Sequence, residues 1–255
     1  MIEADSLTRL AGGRRIVDGV SASFGPGKLH VIVGSNGAGK STLLKLLSRH
    51  LRPHGGAVRY GGCDAQELGL DALARMRAML SQSVEIAFPL SVEDVVLMGR
   101  YPHFTGRPSA HDLAICAEVM RFFEVSELAG RDHRSLSGGE QQRVQFARVL
   151  AQVWEPGRPR YLFLDEPVTF LDVAHQFDFM RKLRSLLASD LVVVGVLHDL
   201  NLVAQFADRV LMLRDGKVLA DGPVEGVLTP ENVWRGFGIR PSVLRTGPGR
   251  TVLVF

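Results

Sequence analysis

The stretch G-S-N-G-A-G-K-S at residues 34–41 limits what this chain can fold into more than any other. It fits the pattern G-x-x-x-x-G-K followed by Ser or Thr. Its flanks narrow the choice further. K-L-H-V-I-V, just before it, is an apolar run of strand length, and S-T-L-L-K-L-L-S-R-H, from Ser41 on, repeats leucine at helical spacing. A buried strand thus enters a glycine-rich loop that opens a helix, the setting in which this pattern cradles phosphate. Small residues let backbone N–H groups curl around phosphate oxygens, and the helix N-terminus adds partial positive charge. Gly34, Ser35, Asn36, Gly37, Ala38 and Gly39 form the expected cradle. Lys40 is expected to reach the outer phosphates, Ser41 to offer its hydroxyl to Mg2+, and Thr42 to stand beside them. Nucleotide binding is the first expectation.

Around that unit the pattern alternates. Gly12-Gly13 reads as the turn of a hairpin between short strands, and Gly55-Gly56 and Gly61-Gly62 bracket another short strand. Residues 71–131 read as mainly helical, interrupted by S-Q-S-V-E-I-A-F-P-L at 81–90. Helical patterns cover 110–123 and 138–153. Strand 161–164, helix 173–188, strand 191–197 and helix 200–207 then follow as in a parallel sheet with crossover helices. The tail offers a strand pair turning at Asp215-Gly216, short helices and a last apolar strand, T-V-L-V-F. The expected plan is an α/β core with a helical insertion.

Composition excludes several classes. The chain has 255 residues, 46% hydrophobic and 22% charged, which is ordinary globular usage and argues against disorder. Its net charge is +3, but Lys and Arg are interspersed with nearly as many acids, so no basic run argues for nucleic acid. No stretch approaches the ~20 apolar residues that span a bilayer. The N-terminal M-I-E-A-D-S lacks the basic start and apolar core of a secretory signal. Cys63 and Cys116 have neither pairing nor metal spacing and are expected to be reduced thiols in a cytosolic protein. A mean hydropathy of +0.10 leaves room for an apolar docking face.

Two further motifs define the chemistry. L-S-G-G-E-Q-Q-R at 136–143 opens a predicted helix with Ser137 at the N-cap. Y-L-F-L-D-E-P at 161–167 ends an apolar strand in two acids, Asp165 and Glu166, which strand alternation sends to opposite faces. Together with the phosphate loop, the first motif resembles the signature of ATP-binding cassette (ABC) ATPases. The resemblance covers nearly the whole chain in the expected order: phosphate loop, a glutamine loop at Gln82, signature, acidic strand, His198.

The resemblance implies one cassette over 1–255, with a RecA-like core and an N-terminal antiparallel β subdomain in about 1–80 and 155–255. A helical insertion subdomain carrying the signature would take about 83–154. Two copies would pack head to tail, each ATP lying between the phosphate loop of one and the signature of the other. Ser137, Gly138, Gly139 and Glu140 would then serve the partner's nucleotide. Asp165, with Ser41 and Gln82, would hold Mg2+. Glu166 would act as general base, Gln82 would stand near the metal and water, and His198 would contact the γ-phosphate. Asp172 belongs to the loop facing the partner. Two departures stand out: no aromatic occupies the adenine position near Ala11, where Leu10 or the stem of Arg9 are the candidates, and Phe170 replaces a small residue before Leu171 and Asp172.

Residues 87–104, A-F-P-L-S-V-E-D-V-V-L-M-G-R-Y-P-H-F, lie where the family receives a membrane subunit, although core packing explains Phe88 and Met98 equally well. L-A-R-M-R-A-M-L at 73–80 and L-A-Q-V-W-E-P-G-R-P-R at 150–160 join it, and together they are similar to the ATPase subunits of haem importers. The proline-rich 154–160 and V-A-H-Q at 173–176 strengthen that branch over siderophore and vitamin B12 importers. The implied role is the ATP-driven engine of a haem importer on the cytoplasmic face of the bacterial inner membrane. Its partners would be a second copy, membrane permease subunits and, indirectly, a periplasmic binding protein. The same engine for a ferric siderophore or cobalamin is the alternative. A soluble cassette acting on DNA or ribosomes is the remote one, since this chain has neither long coiled coils nor a second cassette.

Overall fold

A computed structural model describes residues 1–81, 86–169, 171–246 and 250–255. The chain opens with β1 (Ile2–Ala11) and β2 (Arg14–Phe24), an antiparallel pair longer than the short strands expected. Gly12 and Gly13 turn between them at φ +54° and +75°, the left-handed region that glycine enters without strain. β3 (Lys28–Val33) then leads through the phosphate loop into α1 (Lys40–Leu47). β4 (Gly55–Tyr60) and the two-residue β5 (Cys63–Asp64) complete a four-stranded sheet in the order β2-β1-β4-β5.

α2 (Leu70–Met76) is followed at once by β6 (Arg77–Leu80), which corrects the helical expectation for 71–131. Neither glycine nor proline separates the two elements, so the helical period runs on unbroken in sequence. The strand is imposed by pairing: Arg77 to Leu80 lie in parallel register against Tyr161 to Leu164. Next come α3 (Val92–Leu97), a 3-10 segment (Met98–His103), α4 (Ala110–Phe122) and α5 (Gly138–Gln152). Serines cap all three α-helices, and Ser109 with Asp112 and Ser137 with Glu140 form reciprocal capping boxes. Arg100, 2% exposed, fastens the 3-10 segment by ion pairs to Asp112 at 3.0 Å and Glu155 at 2.9 Å, and donates to the Ala151 carbonyl at 2.9 Å. Phe88 and Tyr101 on this side are exposed and Met98 is half-buried, so core packing does not account for Phe88.

The proline-rich 154–160 is held by Arg160, which donates to the Val153 and Trp154 carbonyls and pairs with Asp190 at 2.8 Å. β7 (Arg160–Asp165), α6 (Val173–Ser185), β8 (Leu191–Val196) and α7 (Leu200–Phe206) alternate as expected, with α6 ending earlier than residue 188. β9 (Arg209–Arg214) and β10 (Lys217–Pro223) form the hairpin at Asp215-Gly216. After α8 (Val224–Val227) and α9 (Pro230–Phe237), β11 (Ser242–Thr246) pairs with β12 (Arg250–Val254), a partner strand the sequence pattern did not reveal.

The central sheet has the order β10-β9-β3-β8-β7-β6, parallel from β9 to β6 with β10 antiparallel at its edge. Every residue of β7 and β8 is buried, because both faces are covered. In β3, Leu29, Val31 and Val33 join the core of α3 to α7, while Ile32 turns to Leu43, Leu44, Leu46 and Leu47 of α1. The carboxyl ends of β3, β7 and β8 therefore come together at one edge, where open α/β sheets hold ligands. Both cysteines are free, Cys63 exposed and Cys116 buried. Among the described residues no helix is long and apolar enough to cross a membrane.

Candidate active site

The phosphate loop owes its shape to glycine at two points. Gly34 has φ +152° and Gly39 has φ +97°; a Cβ on either would stand 2.4 Å from a carbonyl oxygen, that of Leu213 or Ile16. Ala38, buried between them, accepts the Gly216 N–H at 3.2 Å, which ties the loop to the β9–β10 turn. Lys40, the first residue of α1, is 6% exposed and donates to the carbonyls of Gly34 at 2.9 Å and Ser35 at 3.0 Å. Burial lowers its pKa, against the raising influence of Glu166 and Asp165. Asn36 and Gly37 are exposed, and Ser41 and Thr42 half-buried.

Asp165 is the last residue of β7 and 2% exposed, and it accepts the Ser41 hydroxyl at 2.8 Å. Burial raises its carboxyl pKa, only partly offset by the Ser41 bond. Glu166 does turn away, but not by strand alternation alone. It adopts φ +52°, left-handed for a residue with a Cβ, while its N–H still bonds the Val196 carbonyl at 3.2 Å. Its carboxylate meets His198 Nε2 at 2.6 Å. His198 stands just after β8, directly before Asp199, which caps α7 by accepting the Asn201 and Leu202 N–H groups. Asn36, Glu166, Thr169, Gln176, His198 and Asp199 share one open cavity of about 520 Å³. Asn36 of the phosphate loop, the Glu166 carboxylate and His198 thus face a common space.

The signature is set apart. Ser137 and Gly138 are exposed, and Ser137 and Glu140 bond each other: the Glu140 carboxylate accepts from Ser137 N at 2.8 Å and Oγ at 2.7 Å. Among the described residues no hydrogen bond joins 137–140 to 34–42. Asp172 caps α6, accepting the His175 N–H at 2.9 Å, and pairs with the His175 ring at 2.8 Å. Gln82 and Phe170 lie outside the described residues. Near Ala11, the Arg9 guanidinium donates to the Arg52 carbonyl at 2.8 Å, and Leu10 is 38% exposed. Two residues that sequence reasoning did not single out also touch the site's loop: Gln142 donates to the Pro167 carbonyl at 2.9 Å and Gln176 to that of Leu171 at 2.9 Å. Both stood within motifs already noticed, but nothing local says which carbonyl a glutamine reaches.

A lysine on a glycine loop and a hydroxyl on a buried strand-end aspartate are the layout by which P-loop nucleotide hydrolases hold phosphate and metal, and here a carboxylate–imidazole pair stands beside them. A family model described as ABC transporter matches residues 17–169. The chain is 43% identical over 256 residues to the hemin import ATP-binding protein HmuV of Escherichia coli O157:H7, covering 100% of this chain and 98% of that protein. A metal-chelate type ABC transporter solved in an inward-facing conformation aligns with a TM-score of 0.82 at 26% identity, over 100% of this chain and 97% of that one. A dimeric ATP-binding cassette in a post-hydrolysis state, bound to ADP and Pi, aligns with a TM-score of 0.74 at 26% identity, over 88% of this chain and 99% of that one. The chain belongs to the ABC transporter family and is one of its ATP-hydrolysing cassettes.

Proposed function

We propose that this cassette drives the import of haem through a membrane permease, working as a head-to-tail homodimer on the cytoplasmic face of the bacterial inner membrane. The observation that carries the cargo is the full-length likeness to a hemin import ATPase at 43% identity. A periplasmic binding protein delivers the haem and never meets this chain, and nucleic acid has no part. The exposed apolar residues Phe88 and Tyr101, on a segment fastened by Arg100, suit the permease. A ferric siderophore or cobalamin is the second reading, favoured by the metal-chelate type transporter with the same fold.

In this reading Lys40 leaves the Gly34 and Ser35 carbonyls for the β- and γ-phosphates, and the backbone of 34–39 with Thr42 holds the rest of the chain of phosphates. The buried Asp165 carboxylate and the Ser41 hydroxyl are hard oxygen ligands fit for Mg2+, and a cation there relieves the burial that raises Asp165. Gln82 completes that set. When bound, the ion neutralises charge on the phosphate oxygens. Glu166 takes a proton from the attacking water, and His198, now on Glu166, turns to the γ-phosphate. Ser137, Gly138, Gly139 and Glu140 close over the partner's nucleotide, with Asp172 at the same seam. The helical subdomain of about 83–154 carries that signature against the core formed by about 1–80 and 155–255.

The test is transport. Vesicles holding the permease and this protein should accumulate haem when ATP is supplied and stay empty with Glu166→Gln. Uptake of a siderophore or cobalamin without haem would replace the cargo and keep the engine.

A further inference from the structure

In the loop that follows Glu166, four carbonyls of described residues accept hydrogen bonds from side chains. That of Glu166 accepts from Thr169 Oγ1 at 3.2 Å. That of Pro167 accepts from Gln142 Nε2 at 2.9 Å. Those of Val168 and Leu171 accept from Gln176 Nε2 at 3.2 and 2.9 Å. The last three bonds come from two helices with different standing. Gln176 sits on α6, into which the loop itself runs, so its bonds are local. Gln142 sits on α5, whose first residues are the exposed Ser137 side of the molecule.

We propose that Gln142 is a positioning residue that transmits the state of the signature to Glu166 of the same chain. The inference rests on the reading that Ser137 and Gly138 meet the partner's nucleotide. Gln142 lies less than two turns along α5 from Ser137, in one unbroken run of helix that becomes buried from Val144 on, so a displacement of the helix start is carried to Gln142 through the backbone hydrogen bonds between successive turns. Pro167 is bonded in sequence to Glu166, which holds a left-handed φ of +52°. A residue with a Cβ keeps that conformation only while its surroundings fix it. Two of those holds are the Val196 carbonyl on its own N–H and Gln142 on the next carbonyl. A shift of α5 as the signature seats on the partner's nucleotide therefore acts on the backbone that aims the carboxylate. Each chain senses one site with Ser137 and acts in the other with Glu166, so the two sites fire in step.

Steady-state ATP hydrolysis by the full-length protein tests this with Gln142→Ala, Gln142→Lys, Ser137→Ala and the Ser137→Ala/Gln142→Ala pair. Gln142→Ala should lower kcat about tenfold while KM stays within about twofold, the split expected when aim rather than binding is lost. Gln142→Lys keeps a donor for the Pro167 carbonyl and should recover most of that loss. The pair should be no slower than the slower single variant, since without Ser137 there is nothing left to transmit. Wild-type kcat in Gln142→Ala beside a slow Ser137→Ala overturns this inference alone. So does a lysine variant as slow as the alanine one, or losses that multiply in the pair. Wild-type kcat in Ser137→Ala overturns the partner-site reading itself and the transmission with it. A thermal midpoint more than about 5 °C low in Gln142→Ala leaves the decision to the lysine variant and the pair.

Discussion

In the loop at 34–39, a Cβ on Gly34 or Gly39 would stand 2.4 Å from a backbone carbonyl, and both have positive φ. In the stretch at 137–140, Gly138 and Gly139 lie at the start of α5 with ordinary negative φ, and a Cβ on either would meet nothing within 4 Å. The first pair is dictated by the chain's own fold. The second pair is not: glycine weakens a helix by roughly 0.5–1 kcal/mol relative to alanine at interior positions, and here no contact within the chain requires it. A requirement that the chain does not impose on itself comes from whatever approaches that backbone. The glycines of the phosphate loop answer to the chain's own packing; those of the signature answer to nothing within the chain.

The largest effect should come from the group that belongs to neither glycine stretch. Glu166→Gln keeps the shape and the bond to His198 but cannot take a proton, so hydrolysis should fall on the order of a thousandfold. ATP binding should persist, and gel filtration with ATP should show a trapped dimer. Normal turnover would sink the assignment of Glu166 as the general base.

The glycine contrast itself is broken or upheld by a matched pair of variants. Gly138→Asp has open space and should fold with a near-native thermal midpoint and bind ATP normally, yet lose about a hundredfold in kcat, the scale of removing a preorganised phosphate contact. Gly39→Ala should instead unfold several degrees lower, because its methyl meets the Ile16 carbonyl. If Gly138→Asp hydrolyses ATP as the wild type does, the signature is only a helix start. Turnover that rises linearly with protein concentration, with no sign of a dimer, leads to the same conclusion.

What could be read from sequence divides along the same line. The phosphate loop, its strand and its helix were legible because fixed local spacing carries them. β6 was not, since Arg77 to Leu80 become a strand only by lying against β7, whose sequence is remote. The parting of Asp165 and Glu166 was foreseen from strand alternation, but the left-handed turn at Glu166 was not, because no glycine marks it. Gln142 was visible inside the signature while its target was hidden; Pro167 lies 25 residues on, and only the fold brings them together.

The smallest effect asks how far the phosphate-loop side of that contrast reaches. Phosphates account for the loop, but the base needs a wall, and Ala11 offers none at the exposed end of β1. Arg9 is committed to the Arg52 carbonyl, and Leu10 next to Ala11 is an exposed apolar side chain. Ala11→Tyr adds a ring beside the hairpin turn at Gly12. Stacking of an aromatic pair is worth about 0.5–1.5 kcal/mol, so ATP should bind roughly fivefold tighter with kcat unchanged. GTP should gain as much, since a π-face does not distinguish purines. If titration shows neither nucleotide gaining, adenine lies away from the hairpin, and that side of the contrast ends at the phosphates.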